Sequence, residues 1–197
     1  MFDVGRVLFQ WDLRHLFAKI IADAAELDWF LAHVVTPQWH FQHDAGRDLD
    51  SMLAERIALF PQWADAIRAY RARFNETIPA PVPGMPALVA QLAAAQVPLF
   101  IISNFGAEFW DGFRPTQPIF DHFRDAIISG REGLIKPDPA IYRLALARFG
   151  LNAADALFID DVAANVASAR AVGIDTHHFH NAAALRQWLV EKMVLPA

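Results

Sequence analysis

The chain has 197 residues, 55% hydrophobic and 20% charged, and a net charge of −5 from 17 basic and 22 acidic residues. That composition fits a globular protein with a sizeable core and argues against a disordered chain. The acidic balance argues against nucleic acid as a partner. No apolar run is long enough to span a bilayer, and the absence of cysteine excludes disulfides and thiolate metal sites.

The chain opens on Phe2-Asp3-Val4-Gly5-Arg6-Val7-Leu8, a short apolar strand that ends in an aspartate and a glycine turn. An Asp-x-Gly after a strand is commonly only a turn, but in an open α/β sheet the same place is the ligand crevice. Only Met1 and Phe2 precede Asp3, so further residues are expected ahead of this strand in the natural chain. No charged segment followed by an apolar one opens the chain, so the expected setting is cytoplasmic.

Residues 13–83 read as helical and contain no convincing strand. Leu13, Phe17, Ile20 and Ile21 recur at helical spacing, as do Leu27, Phe30, Leu31 and Val34. Pro37 is expected to interrupt, and residues 39–47 to be a loop or a frayed helix end. Asp48 or Asp50 would cap the next helix, and Pro61 would start another. Trp29, Trp39 and Trp63 are expected in the core of this helical segment. The proline-rich stretch 79–84 reads as a linker.

Beyond the linker, helix and strand alternate. Helices are predicted over 85–95, 137–149, 162–172 and 182–193, with Gly173 placed to stop the third. Apolar runs at 97–102, 126–129 and 156–159, and a last one at 176–179, read as strands buried on both faces, as in a parallel sheet. The predicted architecture is therefore α/β. A Rossmann-like core (1–12 and 84–197) would carry an inserted helical domain (13–83, linkers included). His177, His178 and His180 lie close together, but neighbours on a strand face opposite ways, so no metal is assigned to them.

Three predicted strands end in polar residues: Asp3, then Ser103 with Asn104, then Asp160 with Asp161; Lys136 precedes a helix. Taken singly, Ser103-Asn104 reads as a turn or cap, Lys136 as a solvated lysine, and Asp160-Asp161 as an N-cap with an acidic first turn. In a parallel sheet all of them converge on one crevice.

These stretches together resemble the four motifs of the haloacid dehalogenase superfamily of hydrolases. The residues that carry the resemblance are Asp3-Val4-Gly5, Ile101-Ile102-Ser103-Asn104, Lys136-Pro137-Asp138-Pro139 and Phe158-Ile159-Asp160-Asp161 with Asn165 and Gly173. The inserted segment resembles that family's small helical cap. Gln42-His43-Asp44 with Gly46 is most similar to the α-glucose-1-phosphate phosphatase branch.

The resemblance implies a Mg²⁺-dependent phosphatase of small phosphate monoesters, sugar phosphates included, acting on a small phosphorylated metabolite. It makes Asp3 the nucleophile that forms an aspartyl-phosphate, with Mg²⁺ held by Asp3, the Gly5 carbonyl and Asp160. Asp161 would orient metal-bound water or assist Lys136, and Lys136 would oppose the transition-state charge. Ser103 and the following backbone N–H would bind phosphoryl oxygens, with Asn104 beside the substrate. A phosphate ester repels nucleophiles through its own negative oxygens, so carboxylate attack needs such neutralising charge. Gly5 stands where such phosphatases carry an acid/base aspartate, so proton transfer must be absent or supplied elsewhere. Arg6 is either a surface arginine stacked on Trp11 or a substrate contact, and His43 and Arg47 are the expected substrate-selecting residues of the insertion. A 2-haloacid dehalogenase, a phosphomutase, and a non-catalytic module binding a phosphorylated ligand or partner are the alternatives. The oligomeric state stays open.

Overall fold

The computed structural model describes residues 1–196. The inserted helices come first: α1 (Arg14–Phe17), α2 (Ala24–His33), α3 (Pro37–Asp44), α4 (Leu49–Leu59) and α5 (Ala64–Ala72), the last entered through a 3₁₀ turn at Pro61–Trp63. Then follow α6 (Met85–Ala94), β1 (Phe100–Ser103), α7 (Ala107–Phe113), β2 (Asp125–Ile128) and α8 (Ser129–Glu132). The chain continues through α9 (Pro139–Phe149), β3 (Leu157–Asp160), α10 (Ala163–Ala171), β4 (Asp175–His178) and α11 (Ala182–Glu191).

The strands form one parallel arrangement around the chain's first residues. β1 pairs with β2, and β3 pairs with β4, both in parallel. Met1–Asp3 lies between the two pairs: the Phe2 N–H donates to Phe100, the Ile102 N–H to Phe2, the Asp3 N–H to Ile159 and the Ile159 N–H to Met1, all at 2.9–3.0 Å. The spatial order is thus β2, β1, residues 1–3, β3, β4. Asp3, Ser103 and Asp160 all end at the same edge.

Alternation along each strand fills two cores. Ile101, Ile128 and Ile159 face the side that carries the inserted helices, whereas Phe100, Ile102, Ile127 and Phe158 face α9 and α10. The first of these cores runs without a break from Phe2 through Phe30, Met52 and Tyr70 of the inserted segment. The two chain crossings into the insertion pair with each other: Val82 N–H donates to Leu8 and Gln10 N–H to Ala80, each at 2.9 Å. Among the described residues no helix is long and apolar enough to cross a membrane.

Several expectations need correction. Pro37 starts a helix instead of interrupting one. Thr36 caps α3, its hydroxyl accepting from the Trp39 N–H at 3.0 Å, and a proline at the first helical position loses no hydrogen bond. Residues 39–44 are therefore helical, not a loop. Asp48, and not Asp50, caps α4. Trp39 is buried, but Trp29 is 42% exposed and stacks on His33 outside the core. The segment 105–124, to which the sequence pattern assigned nothing, holds α7 and two 3₁₀ turns.

Candidate active site

Asp3 is buried, and its Oδ1 accepts three hydrogen bonds: from the Val4 N–H at 2.7 Å, the Ser103 hydroxyl at 2.8 Å and Lys136 Nζ at 2.9 Å. Among the described residues Oδ2 has no such partner, so one carboxylate oxygen is fixed and the other is left for chemistry. The Lys136 ammonium also donates to Asp160 Oδ2 at 2.7 Å. Asp160 is fully buried; its Oδ1 accepts from the Val162 N–H at 2.8 Å, and the Asn165 amide donates to both oxygens at 3.0 and 3.1 Å. A buried carboxylate requires this degree of satisfaction.

The electrostatics follow from this crowding. Burial pushes the Asp3 carboxyl up to about 6; Lys136 opposes the shift, and the charges of Asp160 and Asp161 add to it. Asp161 is also raised, by burial and then by Asp160. Burial works against the Lys136 ammonium, but Asp3 and Asp160 outweigh it and hold the pKa above the ordinary lysine value. Asp3, Asp160 and Asp161 offer one oxygen each within 4.8 Å of one another. Hard, anionic oxygens at that spacing suit Mg²⁺, which accepts one or two carboxylates and keeps water for its other positions. Burial is the main cause of the raised Asp3 carboxyl, and a divalent cation beside it would favour the ionised form.

Lys136 is aimed by its backbone. The Asn104 amide group donates to the Lys136 carbonyl at 3.0 Å, and its oxygen accepts the Lys136 N–H at 2.8 Å. Asn104 lines the crevice, but both ends of its side chain are engaged in holding this loop. Arg6 reaches across the mouth. Its guanidinium lies 5.3 Å from the Trp11 ring centre and 3.7 Å from Asp161, and its side chain is 57% exposed. Stacking on Trp11 and facing the crevice thus occur together.

The crevice holds a cavity of about 230 Å³. Asp3, Gly5, Arg6, Lys136 and Asp161 lie at its polar end, and Trp11, Phe41, Phe74, Phe105, Pro137 and Val162 wall it. Neither His43 nor Arg47 lines it. The His43 ring packs on Gly106, where a Cβ would lie 2.2 Å from it, and on Phe109; it is a wedge between α3 and α7. Arg47 pairs with Glu55 at 2.5 Å and with Gln42, on the surface of the insertion. The inserted residues that do reach the cavity are His40, Phe41, Asp44 and Phe74.

His40 stacks against Trp11, with ring centres 4.9 Å apart, bonds the Tyr70 hydroxyl at 2.7 Å and lies 3.2 Å from Asp44 Oδ2. Asp44 is buried and its Oδ1 has no partner. The sequence offers His40 and Asp44 beside His43 and Arg47 as polar residues of the insertion, and a loop reading of 39–47 gives no means of telling which pair faces the cavity; Phe41 is one more aromatic there. The i, i+4 spacing of His40 and Asp44 was the available signal. Trp11, Phe74 and Phe105 leave no such signal, because an apolar side chain in a wall reads like any core residue.

Of the three histidines near the last strand, His177 packs on Trp188 and His178 bonds the Asp161 carbonyl at 2.9 Å, while the His178 and His180 rings lie together, their centres 4.7 Å apart.

The chain is 27% identical over 182 residues to a sesquiterpene phosphatase of Aspergillus oryzae, covering 88% of this chain and 85% of that protein. It is 32% identical over 133 residues to a phosphoglycolate phosphatase of Yersinia pseudotuberculosis, covering 66% of this chain and 54% of that one. A solved HAD family enzyme from Bacteroides thetaiotaomicron, a single-substitution mutant in complex with magnesium and inorganic phosphate, shares the fold: its TM-score is 0.68 at 19% identity, covering 91% of this chain and 92% of that one. A family model for haloacid dehalogenase-like hydrolases matches residues 5–173, and the protein belongs to that family of enzymes.

Proposed function

We propose that the protein is a Mg²⁺-dependent phosphatase that cleaves small phosphate monoesters through an aspartyl-phosphate on Asp3. The observation that carries this reading is the asymmetric setting of Asp3: Oδ1 is held by Val4, Ser103 and Lys136, and Oδ2 is free to attack. In-line attack forms the bond between Oδ2 and phosphorus while the bond to the leaving oxygen breaks. Water then attacks the same phosphorus, the aspartyl bond breaks, and inorganic phosphate departs. Mg²⁺ held by Asp3, Asp160 and the Gly5 carbonyl, with Asp161 beside it, would neutralise phosphoryl charge. Ser103 and the following backbone contact phosphoryl oxygens, Lys136 supplies a fixed positive charge, and Arg6 guards the mouth.

The curated relatives support phosphatase chemistry over dehalogenation, and the solved relative was found with magnesium and phosphate. A paired Asp160-Asp161 beside the nucleophile suits a metal, which displacing a halide does not require. The likeness to the glucose-1-phosphate phosphatases rests on the core motifs, the Asp3-Val4-Gly5 form among them, and on the segment 42–46, of which only Asp44 lines the cavity. The inserted helices act as a cap that shields the site from water.

The deciding experiment is phosphate release with and without Mg²⁺, together with mass spectrometry of acid-quenched protein. Phosphate on Asp3 that disappears in Asp3→Asn supports the reading. Full turnover by Asp3→Asn, or in excess chelator, ends it.

A further inference from the structure

The wall of the cavity says what kind of alcohol leaves. Trp11, Phe41, Phe74, Phe105, Pro137 and Val162 line it, and two of them stand at the open surface: Phe41 is 46% and Val162 41% exposed. Large apolar side chains facing water on opposite sides of a crevice, one from the insertion and one from the sheet domain, mark a surface that buries apolar material.

The polar lining residues are already engaged with one another. The Asn104 amide is bonded to the Lys136 backbone at both ends, and the Asn165 amide to Asp160. His40 uses one ring nitrogen on Tyr70 and the other on Asp44. Away from the phosphate end, this leaves Asp44 Oδ1, a buried acceptor without a partner, and Arg6 at the rim. A polyhydroxylated body in this cavity would leave most of its hydroxyls without partners, each at a cost of roughly tenfold in affinity.

Resting on the phosphatase reading above, we propose that the leaving group is an apolar alcohol or phenol with few hydrogen-bonding groups of its own, seated against Trp11, Phe41 and Phe74. Sugar and polyol phosphates are disfavoured. The 230 Å³ of the cavity suits a single ring or a short branched chain together with its phosphate. The missing carboxyl at Gly5 points the same way for phenols, because a phenolate leaves with less help from a proton donor than an alkoxide does.

The test is kcat/KM with Mg²⁺ across the n-alkyl phosphates from ethyl to hexyl, phenyl and benzyl phosphate, glycerol 1-phosphate and glucose 1-phosphate. The expected result is a rise of about fourfold for each methylene that becomes buried, levelling when the cavity is full. Benzyl phosphate should exceed glucose 1-phosphate by roughly a hundredfold, as the loss of several hydroxyl partners requires. Phe41→Ala should flatten the alkyl series with little change in melting temperature, since half of that ring is already in water. A flat series in the unaltered enzyme, or a preference for glucose 1-phosphate, overturns the proposal.

A second arm separates this inference from the phosphatase reading: calorimetric binding of benzylphosphonate against a polyhydroxylated alkylphosphonate. Tighter binding of benzylphosphonate with no ester cleaved supports the wall and removes the phosphatase. Equal binding, or tighter binding of the polyol, removes the wall whatever the enzyme cleaves.

Discussion

Replacing Asp3 by asparagine should abolish turnover and at the same time stabilise the metal-free protein. Burial among Asp160 and Asp161 holds the Asp3 carboxyl at about 6, against its ordinary 3.8. A carboxyl whose folded pKa is raised stabilises the fold most when protonated. That stability is fully present below 3.8 and is lost as the pH rises through about 6. Each tenfold in the ionisation equilibrium is worth about 1.4 kcal/mol, so the ionised Asp3 costs on the order of 3 kcal/mol at neutral pH. An amide mimics the protonated acid and escapes this cost, and Lys136 keeps Asp160 as its partner at 2.7 Å. Thermal melts in chelator at about pH 7.5 should place Asp3→Asn roughly 6–12 °C above the parent for a chain of this length, and the gap should close below about pH 4. Added Mg²⁺ should close it from the other side, because only the parent gains binding free energy at that site. A variant no more stable than the parent at neutral pH without metal, or a gap that persists unchanged in acid, would refute the electrostatic account of this site.

Lys136→Met removes the cation from two buried carboxylates and should destabilise the protein by about 3–5 kcal/mol in denaturant titrations, with turnover lost; a variant of parental stability would mean that the ion pairs are compensated elsewhere. Asp160→Ala should lose Mg²⁺ binding in calorimetry together with activity, and retention of either would move the metal to other residues. Gly5→Asp has room, since an added Cβ meets only the Trp11 Cβ at 3.9 Å; it should speed cleavage of primary alkyl phosphates by about 10²-fold, and an unchanged rate would show that a proton donor already serves the site. Arg47→Ala should leave the ranking of substrates as it is, because Arg47 pairs with Glu55 outside the cavity; a reordered panel would bring it back as a selector.

The polar ends of the strands were readable in the chain because a parallel sheet forces them to one edge. Once Phe2, Ile101 and Ile159 are recognised as neighbouring apolar runs, Asp3, Ser103 and Asp160 have nowhere else to go. Lys136 joined them through its local Lys-Pro-Asp-Pro pattern. The sequence alone thus determined the α/β core and the charged floor of the crevice, since both follow from the period of the apolar residues and from what stands at the end of each run. Tertiary structure decided the walls. His43 and Arg47 carry the chemistry that a reader of sequence looks for, yet one is wedged on Gly106 and the other faces solvent. Trp11, Phe41, Phe74 and Phe105 come from segments far apart in the chain, and nothing in their identity separates a ring that fills a core from one that faces a cavity. That distinction depends on where the helices of the insertion dock on the sheet, and long-range packing sets it, not local pattern.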